Sequence, residues 1–145
     1  NAKYLEENRL RIYHWFMVED LMYLKRGGRI PATTAIVGSA LNIKPLLKVE
    51  RDGTLSTFAK KRGAKAAMNE LLELYKTHSV GGDKERIIII HADDPAKAEY
   101  LKAGVLAVNP KADISTVMLS PIIGAHVGPG MCAIVHIAAE GVERP

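Results

Sequence analysis

The sequence is poor in cysteine and contains no long apolar run, and each shortage excludes a class of protein. Only one of the 145 residues is a cysteine, so an internal disulfide and a zinc site built from cysteines alone are both ruled out. No apolar run approaches the ~20 residues that a membrane-spanning helix needs, so we expect no stable membrane insertion. Hydrophobic residues at 48% and charged residues at 25% are ordinary for a folded domain, which excludes a disordered or fibrous chain. A cytoplasmic location is consistent with the single cysteine.

The chain also lacks an initiator methionine. It starts Asn1-Ala2-Lys3, without the basic and then apolar layout of a signal peptide. Its length suits one compact domain, and no repeat or low-complexity linker divides it. We therefore expect residues 1–145 to be a single domain excised from a longer protein.

The net charge of +4 hides an asymmetry between the two halves of the chain. Residues 1–62 carry twelve basic and six acidic side chains, whereas residues 63–145 carry eight basic and ten acidic ones. The basic residues gather at 25–29 and 60–62. Such a patch favours an anionic ligand, an acidic protein partner or nucleic acid, and for any one pair a solvated surface is the alternative. Because no aromatic residues are interleaved with residues 60–62, we expect no nucleic-acid binding.

Hydrophobic periodicity predicts a layered α/β or α+β domain with six strands and four or five helices. Strands are predicted over 11–18, 43–50, 54–61, 86–91, 113–119 and 131–137. Helices are predicted from residue 21 to a stop at Gly27, over 32–41 and 64–75, and from Pro95 to about residue 108. An Asp52-Gly53 turn predicts a hairpin, so the sheet cannot be wholly parallel. Pro45 predicts that its strand lies at an edge or begins there.

Two glycine-rich segments are candidates for chemistry. Gly27-Gly28-Arg29 combines flexible backbone with a guanidinium that can bind a carboxylate or phosphate, although the spacing alone favours a helix C-cap with a solvated arginine. The second segment runs from Gly124 to Gly130 around His126, and it predicts a loop. A histidine there can donate to an anion, act as an acid or base, or cap a turn.

Other chemistry is poorly represented. His91, Asp93 and Asp94 resemble metal ligands, but Asp94 before Pro95 is better explained as a helix N-cap. We expect no metal and no cofactor. Cys132 heads an apolar strand, which indicates inert core, and no serine has the context of a nucleophile. Together, the candidate residues indicate that the domain binds an anion and has few residues suited to catalysis.

Three motifs in one order carry a family resemblance. They are LMYLKRGGRI at 21–30, AIVGSALNIKPL at 35–46 with its following Asp52-Gly53, and IGAHVGPG at 123–130. Together they resemble the C-terminal domain of the DegV family of bacterial fatty-acid-binding proteins, over about residues 12–137. The resemblance implies a two-layer domain with a mixed, largely antiparallel sheet of about six strands covered by helices.

The resemblance also implies a function. A long-chain fatty acid would lie in an apolar tunnel, and the protein would be a carrier, not an enzyme, that presents the acyl group to a separate fatty-acid kinase. By motif, His126 would bind the carboxylate and Arg29 would support it directly or through water. Gly128 and Gly130 would shape the loop.

Further residues follow from the same resemblance. Candidates for the tunnel wall are Ile36, Ala40, Leu41 and Ile43, which any hydrophobic core would also use. Arg62 is a candidate for docking the kinase. The family's N-terminal domain, which supplies hydroxyl groups to the carboxylate, is absent from residues 1–145 and is expected as a partner.

One alternative function stays open on the residues alone. It is an enzyme domain that acts on a small anionic metabolite, with His126 as acid or base and Arg29 as anion clamp.

Overall fold

The computed structural model describes residues 2–31 and 42–139. Within this part the helices are α1 (Ala2–Asn8), α2 (Leu21–Arg26), α3 (Ala64–His78), α4 (Pro95–Val108) and α5 (Pro121–Val127), with a 3-10 turn over Arg9–Arg11. The strands are β1 (Ile12–Met17), β2 (Ile43–Val49), β3 (Leu55–Arg62), β4 (Arg86–His91), β5 (Asp113–Met118) and β6 (Cys132–Ile137). None of the helices in these two ranges is long and apolar enough to cross a bilayer.

The six strands form one mixed sheet in the order β3-β2-β1-β6-β4-β5. Every neighbouring pair is antiparallel except β4 and β5, which are parallel. A parallel pair needs a long crossover, and α4 supplies it between the two strands. The predicted fold class, a mixed and largely antiparallel six-stranded sheet with helices, is therefore confirmed.

The two faces of the sheet carry two separate apolar clusters, because successive side chains of a strand point to opposite sides. On one side, which we call the helix face, α3 and α4 pack on the strands. Its largest buried side chains are Trp15, Met17, Leu46, Ile87, Ile89 and Ile134 from the sheet with Leu71, Tyr75 and Leu101 from the helices. On the other side, which we call the opposite face, Phe16, Leu47 and Ala133 share a cluster with Leu21, Leu24 and Val127.

The helix starts agree with the predicted caps. Asp20 accepts a hydrogen bond from the backbone N–H of Met22, and Asp94 accepts one from that of Lys97 at 3.0 Å, with Pro95 in the first turn. The structure extends α3 to His78, three residues beyond the predicted end. The predicted helix over 32–41 lies outside the described residues, and α1 was not predicted.

Pro45 does not mark an edge strand. β2 lies inside the sheet, between β3 and β1. Its register with β1 begins at Leu46, opposite Met17, one residue after the proline. Pro45 still contributes its carbonyl, which accepts from the N–H of Val18 at 3.2 Å. The N–H that Pro45 lacks is thus tolerated, because pairing with β1 starts only at the next residue. The prediction that Pro45 lies in an edge strand was wrong.

A buried histidine lies beneath α3 on the helix face. His136 is only 2% exposed, and its Nε2 accepts a hydrogen bond from Trp15 Nε1 at 3.1 Å. Its ring meets that of Tyr75 edge to face, with centroids 5.4 Å apart. Burial lowers the pKa of His136 to about 4, because the charged imidazolium loses its hydration there. His136 is consequently a neutral part of the core at physiological pH.

This histidine predicts acid sensitivity of the fold. The unfolded chain takes up a proton on His136 near pH 6.5, whereas the folded chain does so only near pH 4. The stabilisation is therefore present above pH 6.5 and is lost as the pH falls towards 4, by up to about 3 kcal/mol. Urea unfolding at several pH values measures this loss when the wild type is compared with His136→Gln, a variant that keeps a hydrogen-bond acceptor for Trp15. The stability difference between the two proteins should shrink as the pH falls, and a constant difference would contradict the prediction.

Candidate functional site

His126 lies in the last turn of a helix, whereas the sequence predicted a loop from Gly124 onward. Pro121 is in the first turn of α5, and the helix ends at Gly128, whose φ is +78°. The overlooked signal was Pro121 after Ser120, since proline is in the first turn of α5 as Pro95 is in that of α4, although the Ser120 side chain makes no cap hydrogen bond. The prediction of a loop was wrong because three glycines and a proline outweighed this start signal, and it holds only for residues after Val127.

Gly27 brings the two predicted motifs together. The imidazole of His126 lies directly on Gly27, so that a Cβ built there would be 2.2 Å from His126 Nδ1. Arg29 is exposed, and its Nη1 donates to the carbonyl oxygen of Gly27 at 3.1 Å. Both side chains therefore meet the same residue at the C-terminal end of α2. An exposed guanidinium and a half-buried imidazole thus contact the same glycine.

Two more contacts continue along the same side of α2. The ring of Tyr23 covers Gly128, where a Cβ would be 2.5 Å from Tyr23 Cδ2. Glu19 covers Gly130, where a Cβ would be 2.7 Å from Glu19 Cγ. Both glycines have positive φ values, +78° and +76°, which side-chain-bearing residues rarely adopt. These two glycines are thus required by backbone conformation and by close approach.

The three contacts form one row, which we call the α2 row: Glu19, Tyr23 and Gly27. Tyr23 and the C-cap Gly27, four residues apart, share one side of α2, and Glu19 extends the row from just before the N-cap Asp20. Their contacts on the other side of the interface are Gly130, Gly128 and His126, in the reverse order. The α2 row therefore aligns the whole segment that carries His126.

A partly buried ionic cluster holds the far end of the α2 row. Lys97 Nζ donates to Glu19 Oε1 at 2.6 Å and to Asp94 Oδ2 at 2.9 Å, and Lys44 forms a further short contact with Glu19. Burial by itself raises the pKa of Glu19, but hydrogen bonds from Lys44 and Lys97 outweigh it and hold that pKa below its usual value. Burial likewise lowers the pKa of Lys97, and its two carboxylate partners more than reverse the effect. Glu19 and Lys97 therefore stay charged at neutral pH.

The remaining predicted site residues lie elsewhere or outside the description. Ile43 starts β2 and is half-buried, and Arg62 is exposed at the end of β3 opposite Ile43. Ile36, Ala40 and Leu41 lie outside the described residues. The roles predicted for all of these residues stay predictions.

Within the described ranges, the site lacks the groups that acid–base catalysis or metal binding normally requires. No carboxylate there forms a hydrogen bond with the His126 ring, and no group of three or more potential metal ligands occurs. Asp94 caps α4, and His91 Nδ1 accepts from the N–H of Asp94 at 3.2 Å. Burial raises the pKa of Cys132 to about 12, so its thiol is not a nucleophile at neutral pH.

Sequence reasoning missed Glu19, Tyr23 and Lys97. The four-residue spacing of Glu19, Tyr23 and Gly27, beside the two-residue spacing of His126, Gly128 and Gly130, was the available signal. The spacing within one segment does not show which other segment it contacts, so only the tertiary structure reveals that the two segments pair.

Comparison with known proteins shows the family of the chain. The sequence model of the family described as "Uncharacterised protein, DegV family COG1307" matches residues 2–139. A DegV domain-containing protein of Clostridium perfringens, CPE0026, is 37% identical over 134 residues, which is 92% of this chain and 46% of that protein. The chain spans about half the length of the curated relatives it matches.

Solved structures show the same fold. The structure described as fatty acid binding of a DegV family protein from Thermus thermophilus has a TM-score of 0.83 at 29% identity, covering 95% of this chain and 49% of that one. The Streptococcus pneumoniae fatty acid kinase (Fak) B3 protein loaded with linoleic acid has a TM-score of 0.84 at 19% identity, covering 95% and 48%. At that identity the second likeness shows the fold alone.

The contact between Gly27 and His126 predicts an unusual substitution effect. Gly27 has φ −77°, a value that alanine adopts without strain, so Gly27→Ala should act only through the methyl group. That methyl overlaps the His126 ring, and we expect a loss of about 1–3 kcal/mol in the free energy of unfolding. Thermal or urea unfolding measures it. In a His126→Ala background the overlap disappears, so the same substitution should cost nothing there. An equal cost in both backgrounds would disprove the contact.

Proposed function

The chain belongs to the DegV family, and we propose that it binds a long-chain fatty acid whose carboxylate is held by His126 and Arg29. The observation that carries the proposal is the meeting of these two side chains at Gly27. A guanidinium offers a fork of donors that matches a carboxylate, and an imidazole N–H adds a further donor. The Thermus thermophilus relative, which its description calls fatty acid binding, supports the proposal.

The orientation of His126 identifies the nitrogen that would bind. The three ring atoms nearest to a Cβ at Gly27 would be Nδ1, Cε1 and Cγ. Nε2 is the ring nitrogen that lies farther from α2, and in our proposal it donates to the carboxylate. In this arrangement the His126 ring packs directly against Gly27, and any side chain at position 27 would change the orientation of the ring.

The opposite face of the sheet offers an apolar surface for the acyl chain. Besides its buried cluster, this face carries half-buried aliphatic side chains from three strands: Ile43, Val49, Ile88, Ile90 and Ile137. Val127, the neighbour of His126, belongs to the cluster on this face. Burial of each CH₂ group is worth about 0.8 kcal/mol, so an acyl chain of ordinary length gains most of its binding free energy there.

We further propose that the rest of the protein covers the site. Met118 at the end of β5 is 68% exposed, and Ile122 and Ile123 in α5, the helix that carries His126, are 78% and 51% exposed. Exposed apolar patches of this kind mark interaction surfaces. A second domain, equivalent to the half of the relatives that this chain does not span, would cover the patch and add hydroxyl donors to the carboxylate.

The cellular role follows from the family resemblance. In our proposal the protein is a cytoplasmic carrier without catalytic activity of its own, and it presents the bound acyl group to a separate fatty-acid kinase. Arg62 would contribute to docking that kinase, since an exposed arginine in a basic stretch suits an acidic partner.

Lipid extraction from the purified full-length natural protein, followed by mass spectrometry, tests the proposal. We expect a long-chain fatty acid in the extract and a rise in melting temperature when fatty acid is added to delipidated protein. Absence of both would refute fatty-acid binding.

Substitution of the head-group residues tests the site itself. We expect His126→Ala to weaken fatty-acid affinity about tenfold or more, because one charge-assisted hydrogen bond is lost, and His126→Gln to recover part of it. Arg29→Ala should also weaken binding. Arg86→Ala, which removes another exposed arginine, is the matched control and should leave affinity unchanged. Equal affinities in all four variants would remove His126 and Arg29 from the site.

A further inference from the structure

Lys97 is a largely buried cation whose donors are all used inside the protein. Its side chain is 14% exposed, and its ammonium donates to Glu19 Oε1 at 2.6 Å, to Gly130 O at 2.8 Å and to Asp94 Oδ2 at 2.9 Å. An ammonium has three N–H donors, so none is left for a ligand. Lys97 therefore does not bind an anion itself, and its role lies in what it connects.

The three partners belong to three separate segments. Glu19 immediately precedes Asp20, the N-cap of α2, and Asp94 is the N-cap of α4. Gly130 ends the turn that follows α5. One ammonium thus joins the starts of two helices to the segment that carries His126.

Gly130 is held on both sides of its backbone. Its carbonyl accepts from Lys97, and its N–H donates to the carbonyl of Ala92 at 2.7 Å. A Cβ on Gly130 would lie 3.1 Å from Lys97 Nζ, so the ammonium packs directly against the turn. Gly130 is consequently held jointly by the ionic cluster and by backbone pairing with Ala92.

The cluster and the head-group site lie at the two ends of the α2 row. Glu19 starts the row at Gly130, and Gly27 ends it at His126. A shift of Glu19 or Gly130 moves one side of the interface relative to the other. Because the ring of His126 rests on Gly27 without free space, such a shift changes the orientation of the ring.

From this arrangement we propose that Lys97 is a positioning residue for the carboxylate-binding site. It fixes the register between α2 and the 126–130 segment, and it thereby orients His126 Nε2 towards the ligand. The effect on affinity rests on the proposed function, whereas the effect on the His126 ring does not.

Lys97→Met tests the proposal, because methionine keeps much of the apolar stem and removes the ammonium. We expect a loss of about tenfold in fatty-acid affinity of the full-length protein, measured with palmitate. The matched control is Lys61→Met, which breaks the Lys61–Glu70 ion pair of 2.8 Å and should leave affinity unchanged. Glu19→Gln, which keeps the side-chain size, should give a loss in the same direction if Lys97→Met fails to fold.

A double-mutant cycle separates positioning from general destabilisation. If Lys97 acts through His126, Lys97→Met should have no further effect on affinity in a His126→Ala background. Additive losses in the cycle would overturn the proposal. An unchanged affinity in Lys97→Met alone would overturn it as well.

A measurement without ligand distinguishes failure of this inference from failure of the proposed function. The NMR signals of the His126 ring protons should shift in Lys97→Met, or in Glu19→Gln, but not in Lys61→Met. Ring signals identical to those of the wild type would overturn the positioning role, whatever the lipid assays show. If the ring signals shift while His126→Ala leaves affinity unchanged, then fatty-acid binding at His126 is refuted and the structural coupling stands.

Discussion

The close contact between α2 and the segment that carries His126 is the constraint on which the site depends. The step of four residues from Tyr23 to Gly27 along α2 advances about 6 Å, and it leads from Gly128 to His126 on the facing segment. Glu19, just before the N-cap of α2, contacts Gly130. At Gly27, Gly128 and Gly130 the approach is too close for any Cβ, with distances of 2.2, 2.5 and 2.7 Å to the facing side chain. A pair of helices separated by ordinary side chains would hold the imidazole and the guanidinium farther apart.

Ion pairs stabilise the contact between α2 and the facing segment only at its Glu19 end. Several ion pairs of the structure, such as Lys3–Glu7 and Arg86–Asp113, lie on the surface, where water screens them and each is worth little. The cluster around Lys97 differs because its ammonium is shielded from water and has a hydrogen-bond partner for every donor. Removal of one member would leave charges without a partner in a poorly hydrated place. The charges therefore favour one arrangement of α2, α4 and the turn over its alternatives.

The six strands and helices α2, α3 and α4 could be predicted from the sequence to within a few residues, whereas α1 was not predicted. β4 and α4 follow directly from the apolar run before His91 and from the Asp94-Pro95 start, because burial pattern and caps are local properties. α5 could not be recognised in the same way, since its glycines and proline are also typical of loops. Pro45 was misplaced for a different reason: a single strand sequence does not show where pairing with each neighbour begins.

By itself, the sequence determined which residues can bind an anion, where most strands and helices lie, and which family motifs are present, since these depend on residue type and short-range spacing. Tertiary structure alone decided that Gly27 supports His126 and that Lys97 ties the turn to the start of α2, whereas the hydrogen bond from Arg29 to Gly27 is local. The tertiary contacts join parts of the chain that are distant in sequence, since Glu19 and Lys97 are 78 positions apart and Lys97 and Gly130 are 33 apart. Their pairing results from the strand order, which places β6 between β1 and β4 and so brings the segment before β6 beside the helix after β1.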